Sequence, residues 1–211
     1  MNSFLKNKYI LFTIQFLVAT AITVTGYYAM PKIKHRYKIY QDIDVIEDFV
    51  GVLKRYQEQH QAFAGINNYI IKKDYRDLLD SRFIFHADNN IEHSTGGYFL
   101  ISSGPANYNS NRYDSLILSY VNLGSDRCID LATYDWTKLK TARVIGVMAS
   151  SVSRDMDFNT MYWGCNGSSV IDEYTTACPK GKYYSIPMSE EAALTACRCY
   201  NNYCSVTLKL Y

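Results

Sequence analysis

The sequence predicts an α+β protein in which one long N-terminal helix packs on an antiparallel β-sheet. Three observations support this prediction. An uncharged apolar run lies near the start of the chain, an amphipathic helical pattern follows it, and short strand-like segments fill the second half. The expected divisions are a hydrophobic helix at residues 1–30, its amphipathic continuation at 31–60, and a globular α+β head at 61–211.

The apolar run at residues 9–30, "YILFTIQFLVATAITVTGYYAM", contains no charged residue. A helix needs about 20 apolar residues to cross a bilayer, so we predict a single membrane crossing. Basic residues at 32–38 outnumber Lys6 and Lys8, and the positive-inside rule alone would therefore place the N-terminus outside. The cysteines of the second half require an oxidising exterior, and we give them precedence and expect a cytoplasmic N-terminus. Cleavage of a leader after "VTG" at 24–26 remains an alternative.

The helical pattern resumes directly after Pro31, where charged residues separate apolar ones placed three or four positions apart. The apolar positions are Ile39, Ile43, Ile46, Val50 and Leu53. We therefore expect Pro31 to bend one continuous helix, although two separate helices would fit the same pattern.

Residues 61–95 show no sustained period, and we expect a loop-rich connection with one helical turn and one strand. From Gly96 onward, apolar segments predict strands at "GGYFLISS", "DSLILSYVNL", "ARVIGVMASS" and "CSVTLKLY". Two short helices are expected between them, at "SDRCIDLATYDW" and "SEEAALTAC". Ser125 or Asp126 is the expected N-cap of the first, and Ser189 that of the second.

The six cysteines form an even set that lies wholly in the second half of the chain. They occupy positions 128, 165, 178, 197, 199 and 204. No C-x-x-C pair occurs, and the four histidines lie far from the cysteines in sequence, so disulfides are favoured over a zinc site. The sequence thus predicts no metal site.

Composition and motifs argue against several classes of function. A net charge of +2 gives no indication of nucleic-acid binding. The sequence has no G-x-S-x-G elbow, no phosphate-binding glycine loop and no H-E-x-x-H motif. A bonded cysteine is the favoured interpretation of "DRCID", and a solvated loop that of "DMDFN" at 155–159. We therefore predict that the chain is not an enzyme and binds no cofactor.

Three segments, in order along the chain, resemble the type IVb pilins, in particular the major-pilin type of conjugative thin pili and related enteric pili. They are "TGGYFL", "CIDLATYDW" from Cys128 to Trp136, and "IPMSEEAALTAC" from Ile186 to Cys197 followed by a final strand. The resemblance implies a disulfide between Cys128 and Cys197 that brackets a C-terminal region. For the other four cysteines the local pairs Cys165–Cys178 and Cys199–Cys204 are favoured, but all three pairings stay open.

The resemblance also implies a function. It predicts a structural subunit of a type IV pilus, held in the bacterial inner membrane before assembly and on the cell surface afterwards, with other pilin subunits as partners. The implied membrane and filament-core residues include Tyr9, Phe12, Gln15, Phe16 and Pro31. The chain departs from the family in lacking the processing-site glycine and the fifth-residue glutamate, and Gln15 is the nearest polar residue. Prepilin processing is therefore in doubt, and a minor, tip or initiating position in the filament becomes an open alternative.

Two further functions remain open at this point. A minor pilin or adhesin at a filament tip would bind a surface or receptor through exposed aromatic residues, for which Tyr108, Tyr113, Tyr162 and Trp163 are the candidates. A single-pass periplasmic component of a secretion or conjugation machine would use the same membrane helix without entering a filament.

Overall fold

The computed structural model describes residues 2–93, 96–104, 113–151, 187–199, 201 and 203–211. Within residues 2–36 it describes the side chains of residues 13, 15–20 and 23 only. The chain divides into two compact units, Met1–Gln41 and Asp42–Tyr211. All features of the sheet and its disulfides belong to the second unit.

Four α-helices lie in the described ranges: α1 at Asn2–His60, α2 at Asn68–Asp74, α3 at Ser125–Thr133 and α4 at Glu190–Ala196. Short 3-10 turns follow α2 at Arg76–Leu78 and α3 at Trp136–Lys138. Helix α1 includes residues of both units. The long apolar helix that the sequence predicts for its first part stays a prediction.

Among the described residues, six strands form one antiparallel sheet: β1 at Phe83–Phe85, β2 at Ile91–His93, β3 at Tyr98–Gly104, β4 at Ser115–Leu123, β5 at Val144–Ser150 and β6 at Cys204–Leu210. Their order across the sheet is β1-β2-β3-β4-β6-β5. The C-terminal strand therefore lies between β4 and β5 and is paired on both sides. All its residues are buried, so both faces of the sheet are covered at this strand.

The part of α1 in the second unit is amphipathic, and its apolar face is buried. Ile43, Ile46, Val50 and Leu53 are all buried, as the helical spacing predicts. Phe49 stacks on Phe83 of β1 and on Phe99 of β3, with ring centroids 5.3 and 4.9 Å apart. This face of the helix therefore packs on the sheet through aromatic rings.

The same face of the sheet continues across β4 and β6. Phe99 stacks on its cross-strand partner Tyr120 at 4.6 Å, and Leu118 pairs with Leu208. The opposite face is buried as well but more polar: Ser119 and Thr207 hydrogen-bond across the strands at 2.9 Å. Strand β4 is thus buried on both faces, which accounts for its nearly continuous apolar sequence.

Two local features differ from the sequence-based expectations. The connection at 61–95 contains β1 and β2, where a single strand was expected, because strands of three residues are too short to show a period. Helix α3 is capped by Gly124 instead of Ser125 or Asp126. The Ser125 hydroxyl donates to the carbonyl of Cys197 at 2.6 Å.

Candidate functional site

A buried charged cluster links α1 to the sheet within the second unit. The carboxylate of Asp42 is fully buried, and Arg127 donates two hydrogen bonds to it, from Nη2 at 2.7 Å and from Nε at 3.0 Å. Arg127 also donates to the hydroxyl of Tyr120 at 2.6 Å and to the carbonyl of Gly96 at 3.0 Å. The guanidinium lies over the Tyr120 ring, 5.3 Å from its centroid. The Arg127 guanidinium therefore connects α1, strand β4 and the turn that precedes β3.

The electrostatics of this cluster favour the charged arginine. Burial lowers the pKa of Arg127, but Tyr120 and the hydrogen bonds to Asp42 raise it overall above the usual value. His93, also buried, has a lowered pKa, chiefly through burial and against the opposing charge of Asp42. The arginine therefore remains the cation opposite Asp42, while burial disfavours a charged histidine beside it.

The turn before β3 brings the backbone close to Tyr120. Gly96 and Gly97 both adopt positive φ, of +88° and +97°, which side-chain-bearing residues rarely adopt. A Cβ at Gly97 would lie 2.7 Å from Cε2 of Tyr120 and 2.9 Å from the carbonyl oxygen of Val121. Backbone conformation therefore favours glycine at both positions of "TGGYFL", and close packing requires it at Gly97.

The C-terminal region is closed by two disulfides. Cys128 of α3 bonds to Cys197 at the end of α4, with Cα atoms 5.7 Å apart, across a sequence separation of 69. Cys199 bonds to Cys204 at the start of β6, with Cα atoms 5.2 Å apart. Helix α4 is capped by Ser189, whose hydroxyl accepts from the Ala192 N–H. The cysteines near the C-terminus thus fix α4 to α3 and the segment after α4 to the start of β6.

The sulfur atoms of Cys128, Cys197 and Cys204 lie within 4.8 Å of one another and are buried. Such a group would suit a thiolate-bound metal ion, but each of these sulfurs is committed to a disulfide. The predicted pair Cys165–Cys178 lies outside the described residues. The bonded state therefore gives these cysteines a structural role.

The first unit exposes apolar side chains on its helix. Phe16, Leu17 and Val18 are 62%, 61% and 53% exposed, and the neighbouring Gln15 is exposed as well. The side chains of Tyr9, Phe12 and Pro31 lie outside the described residues. In the part of the chain that the structure describes, no helix has both the length and the hydropathy required to cross a membrane.

The predicted aromatic binding residues are represented by Tyr113, which is 54% exposed and whose carbonyl accepts the Phe63 N–H at 2.9 Å. Tyr108, Tyr162 and Trp163 lie outside the described residues. Tyr69 and Tyr203 are exposed aromatics that the sequence interpretation did not select. The sequence has no periodic pattern that separates exposed tyrosines from buried ones, so only the folded structure identifies the exposed ones.

The sequence interpretation missed the pair Asp42 and Arg127. A signal was present, because Asp42 lies four and seven positions before Ile46 and Phe49, on the apolar face of α1. A charged residue at such a position needs a buried partner. The partner could not be identified from spacing, since Arg127 lies 85 positions away.

Comparisons with known proteins give one distant likeness. No family model matches the chain, and no curated protein matches it. Among solved structures, the type IV b pilin from Salmonella typhi is similar, with a TM-score of 0.43 and 9% sequence identity. The likeness covers 78% of this chain and 96% of that chain.

Proposed function

We propose that this chain is a structural subunit of a type IV pilus or a related pilin-like filament. It is held in the bacterial inner membrane through its N-terminal helix, with the N-terminus in the cytoplasm, and the helix later packs among the helices of other subunits. The observation that carries the proposal is the row of exposed apolar side chains Phe16, Leu17 and Val18. In water such a row is unfavourable, by roughly 1.5–3 kcal/mol for each large side chain left unburied.

The chemistry of the second unit supports an extracytoplasmic role. The Cys128–Cys197 and Cys199–Cys204 bonds persist only in an oxidising compartment. A buried sheet face against α1 and a disulfide-closed C-terminal region together give a rigid head attached to an apolar helix. A filament subunit needs both parts, because the helix makes the contacts of the core and the head forms the outer surface.

The missing acid near the N-terminus favours a minor or tip position over a repeating shaft position. An uncompensated charge in an apolar helix bundle is costly, and Gln15 supplies no charge to offset a neighbour's N-terminal ammonium. Exposed aromatics such as Tyr113 would suit a tip subunit that binds a surface. We therefore propose a minor or tip position for this chain within the filament.

Shearing surface filaments from cells and measuring this chain by quantitative mass spectrometry tests the proposal. We expect the chain in the sheared fraction, at a low ratio to the dominant subunit if it occupies a minor position. Replacing Phe16, Leu17 and Val18 with serine should deplete both the membrane and the filament fractions at least tenfold while leaving the head folded. Recovery of the wild-type chain only in membranes would contradict the filament role and favour a machine component that never assembles.

A further inference from the structure

An open groove of about 450 Å³ lies in the second unit, between α1 and the segment at Leu78–Asp80. One wall is α1 itself, through Glu47, Asp48 and Gly51, and the other includes Asp80 and Thr141. Leu78, at its edge, is 47% exposed. The groove is separate from the Asp42–Arg127 cluster and from the disulfides, and it shares Phe83 with the aromatic packing described above.

Gly51 forms part of the groove at the helix backbone. It lies inside α1, where glycine costs roughly 0.5–1 kcal/mol relative to alanine. Its φ is not positive, so the backbone does not require glycine. A Cβ at this position would meet no atom within 4 Å, so packing within the chain does not require it either. The space that Gly51 leaves is therefore available to a partner.

Thr141 also lines the groove. Its hydroxyl oxygen is shielded from solvent and has no hydrogen-bond partner among the described residues. Leaving a buried hydroxyl without a partner costs roughly 1–3 kcal/mol.

The groove walls carry an excess of negative charge. Glu47, Asp48 and Asp80 contribute three carboxylates. Arg82 is paired with Asp48 and Asp80, and Arg55 lies on the groove wall, so two cations only partly offset these acids. The matching segment is in the chain itself: residues 32–38, "KIKHRYK", carry four Lys and Arg residues and no acid.

We propose that this groove is an assembly contact that receives the basic stretch 32–38 of α1 from a second copy of the chain. Charge complementarity selects the partner, and Gly51 lets two helices approach closely, as small residues do at helix–helix contacts. The inference rests on the proposed function only in that the filament is where copies meet. In the filament, the groove of one copy and residues 32–38 of another are the surfaces that meet.

Filling the groove tests the proposal without disturbing the head. Gly51→Leu places a side chain where the structure has open space, so the full-length chain in detergent should melt at or above the wild-type temperature. We expect its recovery in sheared filaments to fall at least tenfold. Glu58→Leu, at an exposed position of α1 outside the groove, is the matched control and should assemble as the wild type. Normal assembly of Gly51→Leu would overturn the proposal.

A photo-crosslinking amino acid at position 51 of the full-length chain identifies the occupant in cells. An adduct with peptide 32–38 of a second copy supports the proposal. An adduct with another protein or with another segment overturns the proposal. Assembly of the labelled chain into filaments without any adduct overturns it as well. The same adduct found in membranes of cells whose filaments lack this chain would support the contact while contradicting the filament role, so the two failures are distinguishable.

Discussion

Asp42 and Arg127 lie 85 positions apart in the sequence, and the guanidinium of one donates two hydrogen bonds to the buried carboxylate of the other. Asp42 begins the second unit, and Arg127 lies in the first turn of α3. The pair therefore ties the start of the head to the helix that carries Cys128. Its hydrogen bonds to Tyr120 and Gly96 extend the link to the sheet.

Removing one partner of this pair should be strongly destabilising. We expect Asp42→Ala to lower the free energy of unfolding by roughly 3–5 kcal/mol, because it leaves the Arg127 cation buried without its counterion. Urea unfolding of the full-length chain in detergent measures the loss, and the exposed Asp44→Ala is the control. The double variant Asp42→Leu/Arg127→Met should be more stable than Asp42→Ala. A loss below about 1 kcal/mol for Asp42→Ala would show that the pair is not important for stability.

Two glycines should respond in opposite directions to alanine. Gly97→Ala forces a Cβ against Tyr120 at positive φ, and we expect a loss of roughly 2–5 kcal/mol from strain and overpacking together. Gly51→Ala meets open space in a helix and should gain roughly 0.5–1 kcal/mol. Thermal or urea unfolding of the two variants checks both signs. A stable Gly97→Ala variant would mean that the turn before β3 rearranges freely.

The two described disulfides should differ in their contribution. In the chain-entropy model, the crosslink across 69 positions stabilises by about 4 kcal/mol and the one across 5 positions by about 2 kcal/mol. We therefore expect Cys128→Ala/Cys197→Ala to lose about twice as much unfolding free energy as Cys199→Ala/Cys204→Ala. Equal losses, or the reverse order, would contradict a loop-length origin.

Lys209 should make stability rise with pH. Burial lowers its pKa from 10.5 to about 8, although the charge of Asp114 opposes the shift. Between pH 8 and pH 10.5 the unfolded chain binds more protons than the folded one. The free energy of unfolding therefore increases as the pH rises through this range. Between pH 7 and pH 9.5 the gain from this residue should be roughly 2 kcal/mol. Lys209→Met should remove that part of the pH dependence in urea unfolding, and an unchanged slope would contradict it.

The sequence by itself determined the α+β class, because its strongest signals are local. The 3.6-residue period of Ile43, Ile46, Val50 and Leu53 predicts the helix face that the structure buries, and β-rich runs after Gly96 predict β3 to β6. Ser189 is the N-cap of α4 as its position before two glutamates predicts. Each of these features depends on neighbours within a few residues.

Tertiary structure decided everything that depends on distant contacts. The strand order, with β6 between β4 and β5, has no local signal. The cap of α3 lies at Gly124, and the Ser125 hydroxyl donates to the carbonyl of Cys197, 72 positions away. The partner of Asp42 and the open space above Gly51 were likewise set by packing. Periodicity identifies which face of an element is buried, but only the folded chain determines which residues meet there, because many pairings bury the same apolar area.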